Sequence, residues 1–534
     1  MTSTLARRIE TATGMALSVA LLGAIGIRLW NAGALWRDEC AAVQLARVST
    51  LGIAKDFTHE AFPPPFFILI RLWMTLFGTS DAALRAYGFA VALGLTAALW
   101  LVFRLGKLSV PLISLGGIGF SSSFLLWGTS VRGYGIGTVV ILIVLAGLMA
   151  LLRMGTRSAA IIAFGASVLS VQVLVQNTIL LLAIAGSAIA VCLAVREWNR
   201  ALWMTAIAAV SELSFVLYAP SYMRAGEWSV VVESGGPNQS IIQQLGVFLG
   251  ITSSGFQWAI GLCLLGVLLL AAQQAFARRS ENNSAEFQLT FFALLVCVTS
   301  IAGSALFFHV LHYTIQPWYL LAPFALCLTG IDLISAQLCQ STVSRLIRAG
   351  TAVCLALIFG WLNRSLLIQR QTNADLIAKT LEQRSDPTDL IVVNPWQLGI
   401  SVQWYYHGNT PWVTLPQIDD HRIHRYDLLK QQMESTHAIA DVLQLATNTL
   451  RAGHNVWLVG GATFSPRQPL GPLPPAPQSR FGWDNLAYRT SWSEQLADVI
   501  QRNALDAKRV PVNDGYVVNP IENVPLIVAT GRRD

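Results

Sequence analysis

Runs of about 18 to 22 mostly apolar residues recur through the first two thirds of the chain, each long enough to cross a hydrocarbon core of roughly 30 Å. A chain with this many such runs cannot hide them in one soluble core, so it is constrained to a polytopic membrane fold. Hydrophobic residues make up 54% of the sequence and charged ones only 12%, against roughly 25% charged in soluble domains. Candidate spans cover 12–30, 86–105, 109–126, 133–152, 158–175, 178–195, 201–218, 246–272, 288–309, 315–334 and 349–364, about eleven in all. The first follows Arg7 and Arg8 like a signal peptide. No convincing small-residue cleavage site comes after it, so it reads as a retained helix.

Basic residues set the expected orientation. If the spans alternate, Arg7/Arg8, Arg104/Lys107, Arg153/Arg157, Arg196/Arg200, Arg278/Arg279 and Arg345/Arg348 share one side, which the positive-inside rule makes the cytoplasm. The N-terminus is then inside and everything after 364 outside. This pattern also accounts for most of the +7 net charge without nucleic acid as a partner. The stretch Phe66 to Phe77, opened by Pro63-Pro64-Pro65 and carrying Arg71, is too short to span. It reads as an amphipathic or half-inserted helix with Arg71 snorkelling. Residues 31–85 thus form a large first outer loop.

The expected domains are a membrane domain over 1–364, including that loop, and an extracytoplasmic α/β domain over 365–534. In the second, 389–394, 455–460 and 524–529 read as strands and 437–451 as a helix. The seven cysteines form no disulfide framework, and no Cys/His cluster has zinc spacing. No cofactor is evident; a divalent metal stays open, without a ligand motif to hold it.

Three features fall on the expected outer face. Asp38-Glu39 follows the first helix; carboxylates near lipid are costly unless paired, solvated or working. Lys55, Asp56, His59 and Glu60 precede the prolines, with His59 and Glu60 as acceptor-side candidates. Arg132 and Tyr134 lie before the 133–152 span, where Arg132 breaks the positive-inside trend and its planar fork suits a phosphate. Further candidates are Glu212, inside a span, and Tyr218, Tyr222, Arg224 and Trp228 beyond it, of which Arg224 suits donor phosphate. A carboxylate base and an Arg on one face are the minimal parts for moving a sugar off a lipid phosphate. The base takes the acceptor's proton and the cation stabilises the departing phosphate. One base with no covalent step inverts the anomeric configuration.

The chain resembles the GT-C integral-membrane glycosyltransferases. Its nearest likeness is to the branch of protein O-mannosyltransferases and aminoarabinose or mannosyl transferases (families 39 and 83). The matching residues are Trp36-Arg37-Asp38-Glu39, Phe62-Pro63-Pro64-Pro65-Phe66-Phe67-Ile68-Leu69-Ile70 with Leu76-Phe77-Gly78, Leu84-Arg85, and Ser130-Val131-Arg132-Gly133-Tyr134. The resemblance covers roughly the first 200 residues well and the rest in layout. It implies Asp38 as base with Glu39 as neighbour, Arg132 and Tyr134 near the donor phosphate, and a polyprenyl-phosphate sugar as donor. The acceptor would be an envelope glycan, lipid or protein at the outer face of a bacterial plasma membrane. The chain departs from the family in having His59 four residues before Pro63, Gln176-Asn177 where His-Tyr is common, and Pro317-Trp318-Tyr319 without a preceding Arg. A transporter or flippase for lipid-linked saccharides, and a non-catalytic envelope assembly protein, are the competing expectations. The clustering of ionisable residues at one face argues against the first.

Overall fold

The computed structural model describes residues 3–227, 241–277, 285–311, 315–464, 473–476, 485–512 and 515–531. Trp228 and Arg278/Arg279 lie outside the described residues. The chain divides into two compact units: Met1–Trp30, Phe62–Ala219 and Gly236–Ile368 form the first, and Asn31–Ala61, Pro220–Gly235 and Gln369–Asp534 the second. Residues 31–61 of the expected first loop therefore belong with the C-terminal residues, whereas 62–85 belong with the apolar helices.

The first unit is helical, and the chain is a multi-pass membrane protein. Among the described residues seven helices are long and apolar enough to cross a bilayer, or nine if each of two bent pairs is one span. They include Ser3–Asn31, Asp81–Leu105, Gly133–Met154, Asn177–Ala194, Ala285–Leu311, Leu321–Leu338 and Thr342–Leu362. Three expected spans differ, and one of them, 246–272, is broken into Ile241–Leu249 and Ser254–Ala277 with a bend of 99°. The 109–126 run is broken into a short helix, Ile113–Gly119, and a π turn, Phe124–Gly128. Its Gly- and Ser-rich sequence favours close packing over helix propagation. A Cβ on Gly116 would lie 2.7 Å from the Ala352 carbonyl oxygen, so glycine lets this segment sit flush on the helix Thr342–Leu362. The 158–175 run is a helix of 17 residues, Arg157–Val173. Pro64–Phe77 is a helix of 14 residues with prolines in its first turn, where their missing N–H groups cost nothing.

Arg345 and Arg348, read from the sequence as charges at a helix end, are buried. Arg345 lies 2.6 Å from Glu10; Arg348 lies 3.1 Å from Glu10 and 2.6 Å from Asp332. Asp332 in turn accepts from the backbone N and Oγ of Ser114, at 2.9 and 2.7 Å. Two cations and two anions thus pin three long helices and the broken segment together. Removing one partner of such a cluster leaves a buried charge uncompensated, at a cost of about 3–5 kcal/mol.

The second unit holds a five-stranded sheet in the order β2-β1-β3-β5-β4. The strands are β1 (Leu390–Val393), β2 (Trp412–Thr414), β3 (Val456–Val459), β4 (Ala504–Val510) and β5 (Leu526–Gly531). β2, β1 and β3 run parallel; β5 is antiparallel to β3 and β4 to β5. β1 and β3 are apolar and buried throughout, as a central parallel pair covered on both faces must be. One layer of the core packs the helix Ala440–Arg451 and the helix Asn485–Asn503 on the sheet through Leu450, Ala446, Leu496 and Ile500. The other brings Ile377, Leu381 and Val402 against the opposite face.

Replacing Glu10 with Ala is expected to lower the thermal stability of the detergent-purified protein by an amount on the order of 3–5 kcal/mol. Removing Glu10 together with Arg345 should cost less than removing Glu10 alone. Melting curves of the single and double variants check both.

Candidate active site

The site in the second unit starts where residues 31–61 turn into helix. Trp36 precedes the helix Arg37–Arg47, and Glu39 Oε2 accepts from the Trp36 backbone N at 3.1 Å. This is the reach-back of a capping box, which satisfies a backbone donor at a helix start. The acidic pair is therefore split in role. Glu39 is buried beneath the first turn, while the Asp38 side chain keeps 14% of its surface exposed.

Asp38 Oδ1 meets two cationic groups: Arg37 Nε at 3.1 Å and His424 Nε2 at 3.4 Å. The other imidazole nitrogen, Nδ1 of His424, lies 2.8 Å from Glu60 Oε1, which also accepts from the His424 backbone N at 3.0 Å. Asp38, His424 and Glu60 thus make a carboxylate–imidazole–carboxylate bridge. Burial alone would depress the imidazole, but Glu60 and Asp38 outweigh it and raise His424 to about 9. At neutral pH it is an imidazolium donating from both nitrogens. The Tyr426 ring lies parallel to the imidazole, with centroids 5.9 Å apart, and meets Trp396 edge-on at 5.5 Å.

Arg37 continues the network to the short helix Pro520–Glu522 that precedes β5. Its backbone N donates to Glu522 Oε2 at 3.0 Å, and its Nε lies 3.6 Å from Glu522 Oε1. Burial raises Glu522 to about 7 despite the guanidinium beside it. Arg37 is itself raised: burial opposes its charge, and Asp38 and Glu522 outweigh that. Glu522 precedes β5, whose Leu526 pairs with Val459 at the end of β3. Trp396 follows the end of β1. The charged cluster therefore lies at the carboxyl ends of the parallel strands, where open α/β sheets place their ligand crevices.

A second polar feature adjoins it. A cavity of about 380 Å³ is lined by Lys55, Asp56, His59, Arg224, Arg422 and Arg425, with Ser221, Glu227 and Asp427 among its other walls. His59 and Arg425 are chain neighbours of Glu60 and His424, so the cavity abuts the bridge. His59 sits 3.8 Å from Asp427. Burial lowers its pKa more than Asp427 raises it, leaving it neutral at pH 7. Arg425 holds Asp427 through two contacts, at 2.9 and 2.7 Å.

Arg132, Tyr134 and Glu212 belong to the first unit. Arg132 is buried, its guanidinium 4.6 Å from the centre of the Phe62 ring. Phe62 meets Tyr134 at 5.1 Å, and Tyr134 meets Tyr319 at 5.8 Å and Trp318 at 6.3 Å. Arg132 thus heads an aromatic cluster. Glu212 is half-buried in the helix Trp198–Val216, and its Oε1 has no hydrogen-bond partner among the described residues.

The sequence missed His424, Arg37 and Glu522. His421-Arg422-Ile423-His424-Arg425 reads as a charged helix or loop, and nothing in it signals a contact 364 residues away. Its one available mark is Ile423, a lone apolar residue among charges, which is buried beside His424. Among the described residues no group of three or more His, Cys, Asp or Glu side chains is arranged to hold a metal ion.

Comparison with solved structures places the fold. The Archaeoglobus fulgidus oligosaccharyltransferase, solved with a tethered acceptor peptide containing the NVT sequon, aligns with a TM-score of 0.50 at 10% identity. The alignment covers 96% of this chain and 73% of that one. ArnT from Cupriavidus metallidurans bound to undecaprenyl phosphate aligns with a TM-score of 0.39 at 12% identity, covering 83% of this chain and 92% of that one. No family model and no curated protein sequence matches the chain. The chain shares its fold with that oligosaccharyltransferase: a polytopic helical membrane unit and a C-terminal α/β unit.

The bridge makes a signed pH prediction. A histidine raised from 6.5 to about 9 contributes stability that is fully present below pH 6.5 and lost as pH rises through about 9. Thermal stability should fall across that window, and the fall should shrink in His424→Gln. Melting curves at stepped pH for both proteins check it.

Proposed function

We propose that the protein is an inverting glycosyltransferase that moves a sugar from a polyprenyl-phosphate donor to a cell-envelope acceptor. The acceptor is a glycolipid, polysaccharide or protein, as the sequence resemblance to the aminoarabinose and O-mannosyl transferase branch implies. The reaction takes place at the outer face of a bacterial plasma membrane, with the N-terminus inside and the α/β domain outside. The observation that carries this reading is Asp38 at a helix start, its carboxylate fixed by Arg37 and by the His424–Glu60 bridge on a GT-C fold.

In this reading the acceptor O–H attacks the anomeric carbon as the bond from that carbon to the phosphate oxygen breaks. Asp38 takes the proton and polyprenyl phosphate departs. Arg37 and His424 are positioning residues that hold Asp38 in one rotamer, and Glu60 fixes His424. Glu39 supports the helix that presents Asp38. Arg132, on its aromatic bed with Tyr134, is the donor-phosphate candidate of the first unit. Apart from Ala54, every residue lining the cavity that bears Arg224 and His59 carries a polar group, a lining that suits a saccharide. Glu212 stays a weaker acceptor-side candidate.

Asp38→Asn keeps the shape and removes the base, so transfer should fall about 10²–10⁴-fold with donor binding retained. The check is mass spectrometry of polyprenyl-phosphate sugars and envelope glycans in cells lacking the gene, re-expressing either form. An Asp38→Asn protein that restores the missing sugar as wild type does removes Asp38 as the base.

A further inference from the structure

β4 stands at one edge of the sheet, and Leu505 to Arg509 within it are all exposed. Side chains alternate between the two faces of a strand, so over this stretch neither face of β4 is covered. The strand is held by its ladder with β5, in which Asp506 to Val510 pair without a break with Thr530 to Leu526. Burial therefore does little to offset the entropy lost in ordering it. No strand pairs with its outer edge among the described residues, and a free edge is a template for another strand.

Edges that stay single are blunted by charge and by bulges. β4 has a bulge between Ala504 and Asp506 and carries Asp506, Lys508 and Arg509, so the order of its charges decides what it repels. Outward-facing backbone groups alternate along a strand. A second copy added antiparallel about a two-fold axis can therefore pair only residues an even number apart, and the axis must fall on a residue. Placed on Asp506, the axis sets Asp against Asp; placed on Lys508, it sets Lys against Lys. Both are unfavourable. Placed on Ala507, it sets Asp506 of each copy opposite the partner's Lys508, on one face of the sheet, with two small side chains meeting at the axis. Leu505, 61% exposed, then comes beside the partner's Arg509, whose aliphatic stem can cover it. One register attracts and the registers on either side repel. That pattern specifies a pairing; charges placed only to blunt the edge would repel in all three.

We propose that β4 is the contact surface for a second copy of this chain, joining the two sheets antiparallel across Ala507. The dimer does not depend on the transferase reading, and none of its tests uses sugar transfer.

The full-length protein in detergent, followed by analytical ultracentrifugation over a range of concentrations, should show a monomer–dimer equilibrium. Asp506→Lys sets like charges opposite each other across the axis, and so does Lys508→Asp. Each should weaken self-association about tenfold or more. The double variant Asp506→Lys/Lys508→Asp should recover it. The two single variants, carrying different affinity tags and mixed, should pair with each other, which no misfolded chain would do. In vesicles, Ala507→Cys with the exposed Cys263 and Cys354 replaced by Ser should form a disulfide-linked dimer on oxidation. Residues directly opposite in an antiparallel pair lie about 4.5–5.5 Å apart at Cα, within disulfide reach. The same background with Ala507 intact should not cross-link. Four results would each overturn the dimer. They are a monomeric wild type without the Ala507→Cys cross-link, a dimer indifferent to both single substitutions, single variants that fail to join each other, and an Ala507→Cys cross-link to a different protein.

Discussion

The second unit depends on one buried proton-rich contact: the His424 imidazolium held between Glu60 and Asp38. Glu60 is wholly buried, and the His424 side chain keeps only 8% of its surface exposed. A carboxylate in that setting is tolerable only when paired and hydrogen-bonded. Two segments more than 360 residues apart, 31–61 and the stretch around 424, are thereby obliged to fold as one piece. Asp38 sits at the free end of this bridge, so its position follows from a contact made at Glu60.

The same logic explains why the two acidic residues after the first helix are held by different contacts. In a helix, neighbouring residues face different directions. Glu39 turns back to cap the helix start, and Asp38 turns to Arg37 and His424. The glycosyltransferase reading needs only one of them near reacting atoms. The other supplies the stiffness that holds a base within the few tenths of an ångström such chemistry demands.

Much of this was legible in the sequence, and the failures have physical causes. The long apolar runs became helices because nothing in them competes with a continuous backbone ladder. The run 109–126 failed because its glycines and serines offer close packing and side-chain-to-backbone bonds instead, such as Ser121 Oγ to the Ile118 carbonyl. β1, β3 and β5 announced themselves as short apolar stretches. β4 did not, since most of its residues are exposed, and the three residues of β2 are too few to show a period. Asp38 was visible by its place after a helix. His424, Arg37 and Glu522 were hidden because their meaning lies in long-range charge contacts. A charged run such as His421 to Arg425 carries the same local signal whether it is solvated or buried.

As the proposed base, Asp38 works only when the Glu60–His424 bridge holds it. The most direct measurement is mass spectrometry of envelope glycans and polyprenyl-phosphate sugars from cells lacking the gene, re-expressing wild type or Glu60→Gln at matched levels. Glu60→Gln keeps Asp38 untouched and removes only the far anchor of the bridge. The account predicts that wild type restores one missing sugar, while Glu60→Gln leaves the donor accumulated and the glycan short. Full restoration by Glu60→Gln would contradict it.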